Sequence, residues 1–240
     1  MNISLCVLIS NKHFRFARFA LESAIMHYPV HEVLLGISPN VGYGRQIAGI
    51  AKGGAPGATV RALEGAARRN DVAQARFNLF DQATGDWLMV VDDDDAVIGT
   101  LDLEQVGANP GVGFVHTDIL ATCMEDTGGC RKAGDLFIRP SKTIKKRRDA
   151  NWFRGSHYFY LAAAWRDVSD LVDRSTIDYE EWRVTWHMMN QGWTGHHEPR
   201  ILQVQRCRDY VAAANHQQFV KKITWEDVAD DLSIKHGEQA

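Results

Sequence analysis

The sequence predicts an α/β fold built on a mostly parallel central sheet flanked by helices, and three observations predict it. Ile3 to Ile9 is an unbroken apolar run rich in branched residues, the pattern of a strand buried on both faces, as a parallel sheet requires. Phe14 to Met26 then sets Phe16, Phe19, Ala20, Leu21, Ala24 and Ile25 at mostly helical spacing and is closed by Tyr28-Pro29. His31 to Ile37 is a second short apolar strand, ended by Ser38-Pro39-Asn40. Strand, helix and strand with short connections form a βαβ unit, which implies parallel strands and a right-handed crossover.

The elements continue in the same style. The glycine-rich stretch from Gly42 to Gly57 is expected to hold a helix and loops before a strand at Ala58 to Leu63. Asp71 to Ala83 predicts a helix carrying Ala73, Ala75, Phe77, Leu79 and Phe80, stopped by Thr84-Gly85. Trp87 to Val91 is a strand that runs directly into Asp92-Asp93-Asp94-Asp95. Beyond it the pattern predicts a strand at Gly113 to Leu120, a turn at Asp126 to Gly129, a strand over Tyr158 to Ala164 and a helix from Tyr179 to Gln191 ended by Gly192.

Composition narrows the class of protein. The 240 residues are 45% hydrophobic and 24% charged, enough for one substantial core. A net charge of -3 argues against coating nucleic acid by bulk electrostatics. No window reaches the roughly 18 apolar residues of a membrane span, and Met1-Asn2-Ile3-Ser4 lacks a positive n-region, so the expected location is cytoplasmic. Cys6, Cys123, Cys130 and Cys207 show no C-x-x-C spacing and are expected as free thiols; a Cys123 to Cys130 bridge would need an oxidising compartment.

The chemistry concentrates at the four aspartates. Like charges so close repel unless a cation or hydrogen-bond donors offset them. In an open α/β sheet ligands bind at the carboxyl ends of strands, where this cluster falls, and Mg²⁺ or Mn²⁺ held by one or two carboxylates plus substrate phosphates is the usual solution. The alternative is a solvated acidic turn.

Three segments, Ser4 to Pro29, Ala75 to Asp95 and Glu180 to Trp193, are in register with, and resemble, the family 2 glycosyltransferases. Ser4 to Pro29 follows the family's opening plan, with Asn11, Leu21-Glu22-Ser23-Ala24 and Tyr28-Pro29. Ala75-Arg76-x-Asn78 followed by Ala83-Thr84-Gly85-Asp86-Trp87 and the aspartates looks like its central signature. Glu180-Glu181-Trp182, then Gly192-Trp193, is similar to its Glu-Asp motif and the glycine after the following helix.

The resemblance implies a GT-A fold: a Rossmann-like nucleotide-binding half, residues 1–115, fused to an acceptor-binding half, residues 116–240, as one compact domain. It implies inverting transfer of a sugar from a nucleoside diphosphate sugar to an acceptor hydroxyl. Glu181 takes the place of the catalytic base, with Glu180 as the fallback. Ser10, Asn11, Arg76, Asp92 and Asp93 fall on the donor side, Asp92 and Asp94 on the family's Asp-x-Asp pattern that reaches ribose and metal, and Gly155-Ser156-His157 with Trp182 on the acceptor side. His216, or His196-His197, stands where such enzymes can add a histidine to the Mn²⁺ or Mg²⁺. Four aspartates in a row leave the assignment open by one residue, since Asp93 or Asp95 can substitute.

The chain also departs from the family. Where the second strand usually ends in an aspartate that contacts the base, it has Ile37-Ser38-Pro39-Asn40, and the family's Ala-Arg-Asn reads Ala75-Arg76-Phe77, so uridine does not follow. Lys142 to Arg148 holds five cations in seven residues, suited to a donor diphosphate, an anionic acceptor or a solvated loop. The acceptor stays open among a glycan, a small molecule, a protein and a hydroxylated nucleic-acid base. A nucleotidyltransferase using the same aspartates, and an inactive sugar-binding module, are the alternatives.

Overall fold

The computed structural model describes residues 1–10, 14–39, 41–64, 72–123, 136–139, 158–174, 180–207 and 221–223. The chain first alternates strands and helices: β1 (Ile3–Ile9), α1 (Phe14–His27), β2 (Glu32–Ile37), α2 (Gly44–Gly54), β3 (Thr59–Glu64), α3 (Val72–Gln82) and β4 (Trp87–Asp92). It continues through β5 (Ala96–Val97), α4 (Leu103–Gly107), β6 (Val112–Cys123), β7 (Leu136–Arg139), β8 (Tyr158–Leu161), α5 (Ala162–Val168), α6 (Glu180–Asn190), β9 (Thr194–Cys207) and β10 (Lys221–Ile223).

The strands form one sheet in the order β10-β7-β6-β8-β4-β1-β2-β3, with β9 beside β6 and β5 beside β9. The β3-β2-β1-β4 part is parallel throughout. Beyond β4 the sheet is mixed: β8 lies antiparallel between β4 and β6, while β9 runs parallel to β6. The sheet is therefore continuous across residue 115.

Alternation explains why the apolar runs form central strands. Leu5, Val7 and Ile9 of β1, Val33 and Leu35 of β2, and Met89 and Val91 of β4 join one core with α1 and α2. Cys6 and Leu8, Leu34, and Leu88 and Val90 point the other way into a second core with α3, α5 and α6. Each strand buries both faces because helices cover both. Cys6 is a free, buried thiol, and burial pushes its pKa up, so it stays protonated; Cys130 and the side chains of Cys123 and Cys207 lie outside the described residues.

Two expectations change, and one strand was not expected. The buried stripe of α1 is Ala17, Ala20, Leu21 and Ala24, whereas Phe19 is 50% exposed. The strand expected over Tyr158 to Ala164 stops at Leu161, because the alanine run Ala162 to Ala164 favours helix and carries Trp165 and Val168 into the core one turn later. The long strand β9 has no clear apolar alternation before Ile201: its register against β6 shifts where Glu198, Pro199 and Arg200 intervene.

The amino edge of the sheet is locked by Glu32, which is buried at the start of β2. Its carboxylate accepts from the Ser4 hydroxyl, from the Thr84 backbone N–H and hydroxyl, and from Arg61 at 2.6 Å. Gly85 donates to Ser4 Oγ at 2.8 Å, and a Cβ at Gly85 would lie 2.6 Å from that oxygen. Burial alone would raise the Glu32 pKa, but the bonds from Ser4, Thr84 and Arg61 outweigh it and hold the carboxyl below its usual range.

Because the folded pKa is depressed, the stability from Glu32 is present above the ordinary carboxylate pKa and is lost as pH falls through the lower folded value. Glu32→Gln is expected to destabilise by about 2 kcal/mol at neutral pH, with the gap to wild type closing in acid. Urea unfolding at pH 7 and pH 3 measures both.

Candidate functional site

The strand order reverses at β1, which has β2 on one side and β4 on the other. The crevice at the carboxyl ends of such strands is where an open α/β sheet binds ligands. Leu8 pairs with Asp92, so Ser10 and the aspartates emerge at the same edge.

The four carboxylates have different environments. Asp92 and Asp94 are half-buried, while Asp93 and Asp95 are buried at 5% and 1% exposure. The Ser10 backbone N–H donates to Asp93 Oδ2, and Gln203 of β9 donates through Nε2 to Asp95 Oδ2 at 2.7 Å. The turn closes with the Asp95 N–H on the Asp92 carbonyl at 3.2 Å. Asp92 Oδ1 accepts from Arg76 at 2.6 Å. The protein thus anchors Asp93 and Asp95 inward and leaves Asp92 and Asp94 accessible.

Arg76 lies on the buried face of α3 between Ala75 and Phe77, with a side chain only 6% exposed. A buried guanidinium requires a counter-charge, and Asp92 supplies it. Its place in the structure is therefore to hold the aspartate turn as much as to meet a ligand.

The helix α6 is fixed against the sheet at its C-terminal end. Gly192 ends α6 at φ 96°, and Thr194 N–H donates to the Gly111 carbonyl at 2.7 Å, placing the C-terminal end of α6 beside the amino end of β6. Val184 and Met188 pack α6 into the second core, and Glu180, Glu181 and Trp182 form its first turn. The side chains of these three lie outside the described residues, as do Asn11, Gly155, Ser156, His157, His216 and the basic tract 142–148. Tyr158 opens β8 opposite Val90, two residues before Asp92.

A histidine–aspartate cluster on β6 and β9 escaped the sequence reading in part. His197 Nε2 lies 2.9 Å from Asp118 Oδ1, and its ring stacks on His116 at 4.9 Å and 14°. Burial, then His197 and His196, push the His116 pKa down to about 3, so this ring is neutral near pH 7. The signal was His116 and Asp118 two apart on an apolar strand, hence on one face. His197, a histidine considered for the metal, is engaged by Asp118 through Nε2. Among the described residues no three His, Cys, Asp or Glu side chains form a metal cluster. The donor set that fits a hard divalent ion is Asp92 and Asp94, completed by ligand phosphates, as Mg²⁺ and Mn²⁺ accept.

No protein-family model and no curated protein sequence matches the chain. Solved structures do. S. aureus TarS 1-349 aligns with TM-score 0.60 and 15% identity over 86% of this chain and 60% of its own. Mannosyltransferase PcManGT from Pyrobaculum calidifontis, in complex with GDP-Man and Mn²⁺, aligns with TM-score 0.57 and 14% identity over 85% and 56%. GalNAc-T7 with UDP, GalNAc and Mn²⁺ aligns with TM-score 0.66 and 13% identity over 87% and 43%. The chain spans about 60% or less of each of these structures. It has the GT-A fold. No described helix is long and apolar enough to cross a membrane.

Arg76→Met would leave Asp92 beside three other aspartates without its cation. A loss of about 2 kcal/mol is expected, less than for a fully buried pair because Asp92 is 34% exposed. Urea unfolding of wild type and variant at neutral pH checks it.

Proposed function

We propose that the chain is a metal-assisted, inverting glycosyltransferase of the family 2 type, which moves a sugar from a nucleoside diphosphate sugar to an acceptor hydroxyl. The observation that carries this reading is the alternation at the topological switch point: accessible Asp92 and Asp94, with Asp93 and Asp95 anchored between and behind them. That spacing supports a donor and metal seat. The Mn²⁺ and nucleotide-sugar components of the neighbouring structures support the same reading, and Mg²⁺ remains an equivalent choice of hard cation.

In this reading residues 1–115 bind the donor, through Ser10, Asn11, Arg76, Asp92 and Asp93. Residues 116–240 bind the acceptor through Gly155, Ser156, His157 and Trp182. Asp92 holds the ribose and Asp94 the metal, with His216 as a further ligand. When bound, the cation neutralises the charge that builds on the departing diphosphate. Glu181, at the start of α6, takes the acceptor hydroxyl proton as that oxygen attacks the anomeric carbon. The bond from that carbon to the diphosphate oxygen breaks on the opposite face, which inverts the centre and releases nucleoside diphosphate. A cytoplasmic setting fits the buried free thiol of Cys6.

Incubation with nucleotide sugars and Mn²⁺ should release nucleoside diphosphate. Pyrophosphate release would turn the reading to nucleotidyl transfer, and turnover of no donor would leave a sugar-binding module. Chelation and Asp94→Ala are each expected to abolish turnover, with the far-UV spectrum of the variant unchanged.

Glu181→Gln is expected to keep donor affinity and lower turnover by roughly 10²-fold or more. A dead Glu180→Gln beside a nearly normal Glu181→Gln would move the base by one residue. Single-turnover rates and donor titrations separate the two.

A further inference from the structure

At the carboxyl end of β2, along the edge that carries the aspartates, a pocket of about 590 Å³ opens at the start of α2. Its walls include the apolar side chains of Ile37, Pro39 and Val41 and the polar side chains of Ser38, Arg45 and Gln46. Gly44 lets α2 start close against Ile37: a Cβ there would lie 2.9 Å from Ile37 Cδ1, so a larger residue would require that side chain to shift. Ile37 pairs with Ile9, and Leu8 pairs with Asp92. The pocket therefore stands two strand spacings, about 10 Å, from the aspartate turn along the same edge. That is the reach of a nucleoside from its base to its diphosphate.

We propose that this pocket seats the donor's nucleobase and that Arg45 selects guanine, making the substrate a guanosine diphosphate sugar. The inference rests on the donor reading above and adds the identity of the base. Among the described lining residues none carries a carboxylate, so no charged acceptor faces the N3–H of uracil or thymine. The charged group present is a guanidinium, which only donates. Arg45 is exposed and makes no hydrogen bond or ion pair with another described residue, which leaves its fork open to a ligand.

A guanidinium fork matches two neighbouring acceptors, and guanine offers them as O6 and N7. Adenine sets an amino donor beside N7, and uracil and thymine interrupt their two carbonyls with N3–H. Cytosine has neighbouring acceptors on one ring only, whereas the apolar walls and volume suit a two-ring base. The Gln46 carboxamide and Ser38 hydroxyl can accept from the guanine N1–H and amino group.

Calorimetric titration of the intact protein with GDP, UDP, CDP, ADP and dTDP at fixed Mn²⁺ tests this. GDP is expected to bind at least about 10-fold tighter than the others, the discrimination one bidentate pair supplies. Arg45→Ala should remove that preference and leave UDP binding within about 2-fold of wild type. Deleting the acceptor instead, with 7-deaza-GDP, should weaken binding to wild type and cost nothing further in Arg45→Ala. Another nucleotide binding as tightly as GDP, or an equal loss for all five in Arg45→Ala, overturns the guanine assignment while the donor site stands. Folded wild type that binds none of the five overturns the donor reading itself.

Discussion

The structure depends on keeping four adjacent carboxylates at the end of one apolar strand. Left alone they would repel, and the turn from Asp92 to Asp95 would open. Each restraint comes from a different part of the chain: the N–H of Ser10 after β1, the Arg76 guanidinium from α3, and the Gln203 amide from β9. Electrostatic offset and tertiary assembly are therefore the same event here. The sheet must bring β1, α3 and β9 together before the acidic turn can exist, and the turn in return fixes where those elements end.

The two edges of the sheet divide the tasks. At the amino edge Glu32 gathers Ser4, Thr84 and Arg61 into a buried network that ties β1, β2 and β3 to the loop before β4. The Glu32 carboxylate takes its bonds from protein donors. At the carboxyl edge the inward aspartates are satisfied by protein donors, while Asp92 and Asp94 keep access to solvent. A rigid edge and an open one are what a site for a charged, multi-part ligand requires.

Much of this was legible in the sequence because it rests on local pattern. Continuous apolar runs at Ile3 to Ile9 and Trp87 to Val91 can only be central strands, and an acidic run at the end of one marks the ligand edge. What stayed hidden depends on partners far along the chain. Burial separates Asp92 and Asp94 from Asp93 and Asp95, but a row of identical residues carries no sign of it; Gln203, more than a hundred residues away, anchors Asp95. That Arg76 is also buried against Asp92 follows only from the packing of α3. β9 was missed because Pro199 and its charged neighbours break the alternation, and with it went the pairing of His197 with Asp118. The helix α5 was missed because Ala162 to Ala164 continues the apolar run of β8 with no polar or turn residue to mark the change.

The central claim is that Asp92 and Asp94 form a seat that a divalent cation completes only together with a diphosphate. Titrating Mn²⁺ into the protein and following the free-ion paramagnetic resonance signal, with and without nucleoside diphosphate, tests it directly. The account predicts weak binding of Mn²⁺ alone, much tighter binding when the nucleotide is present, and loss of that coupling in Asp94→Ala. Mn²⁺ and nucleotide binding independently of each other, or full coupling surviving in Asp94→Ala, would contradict it.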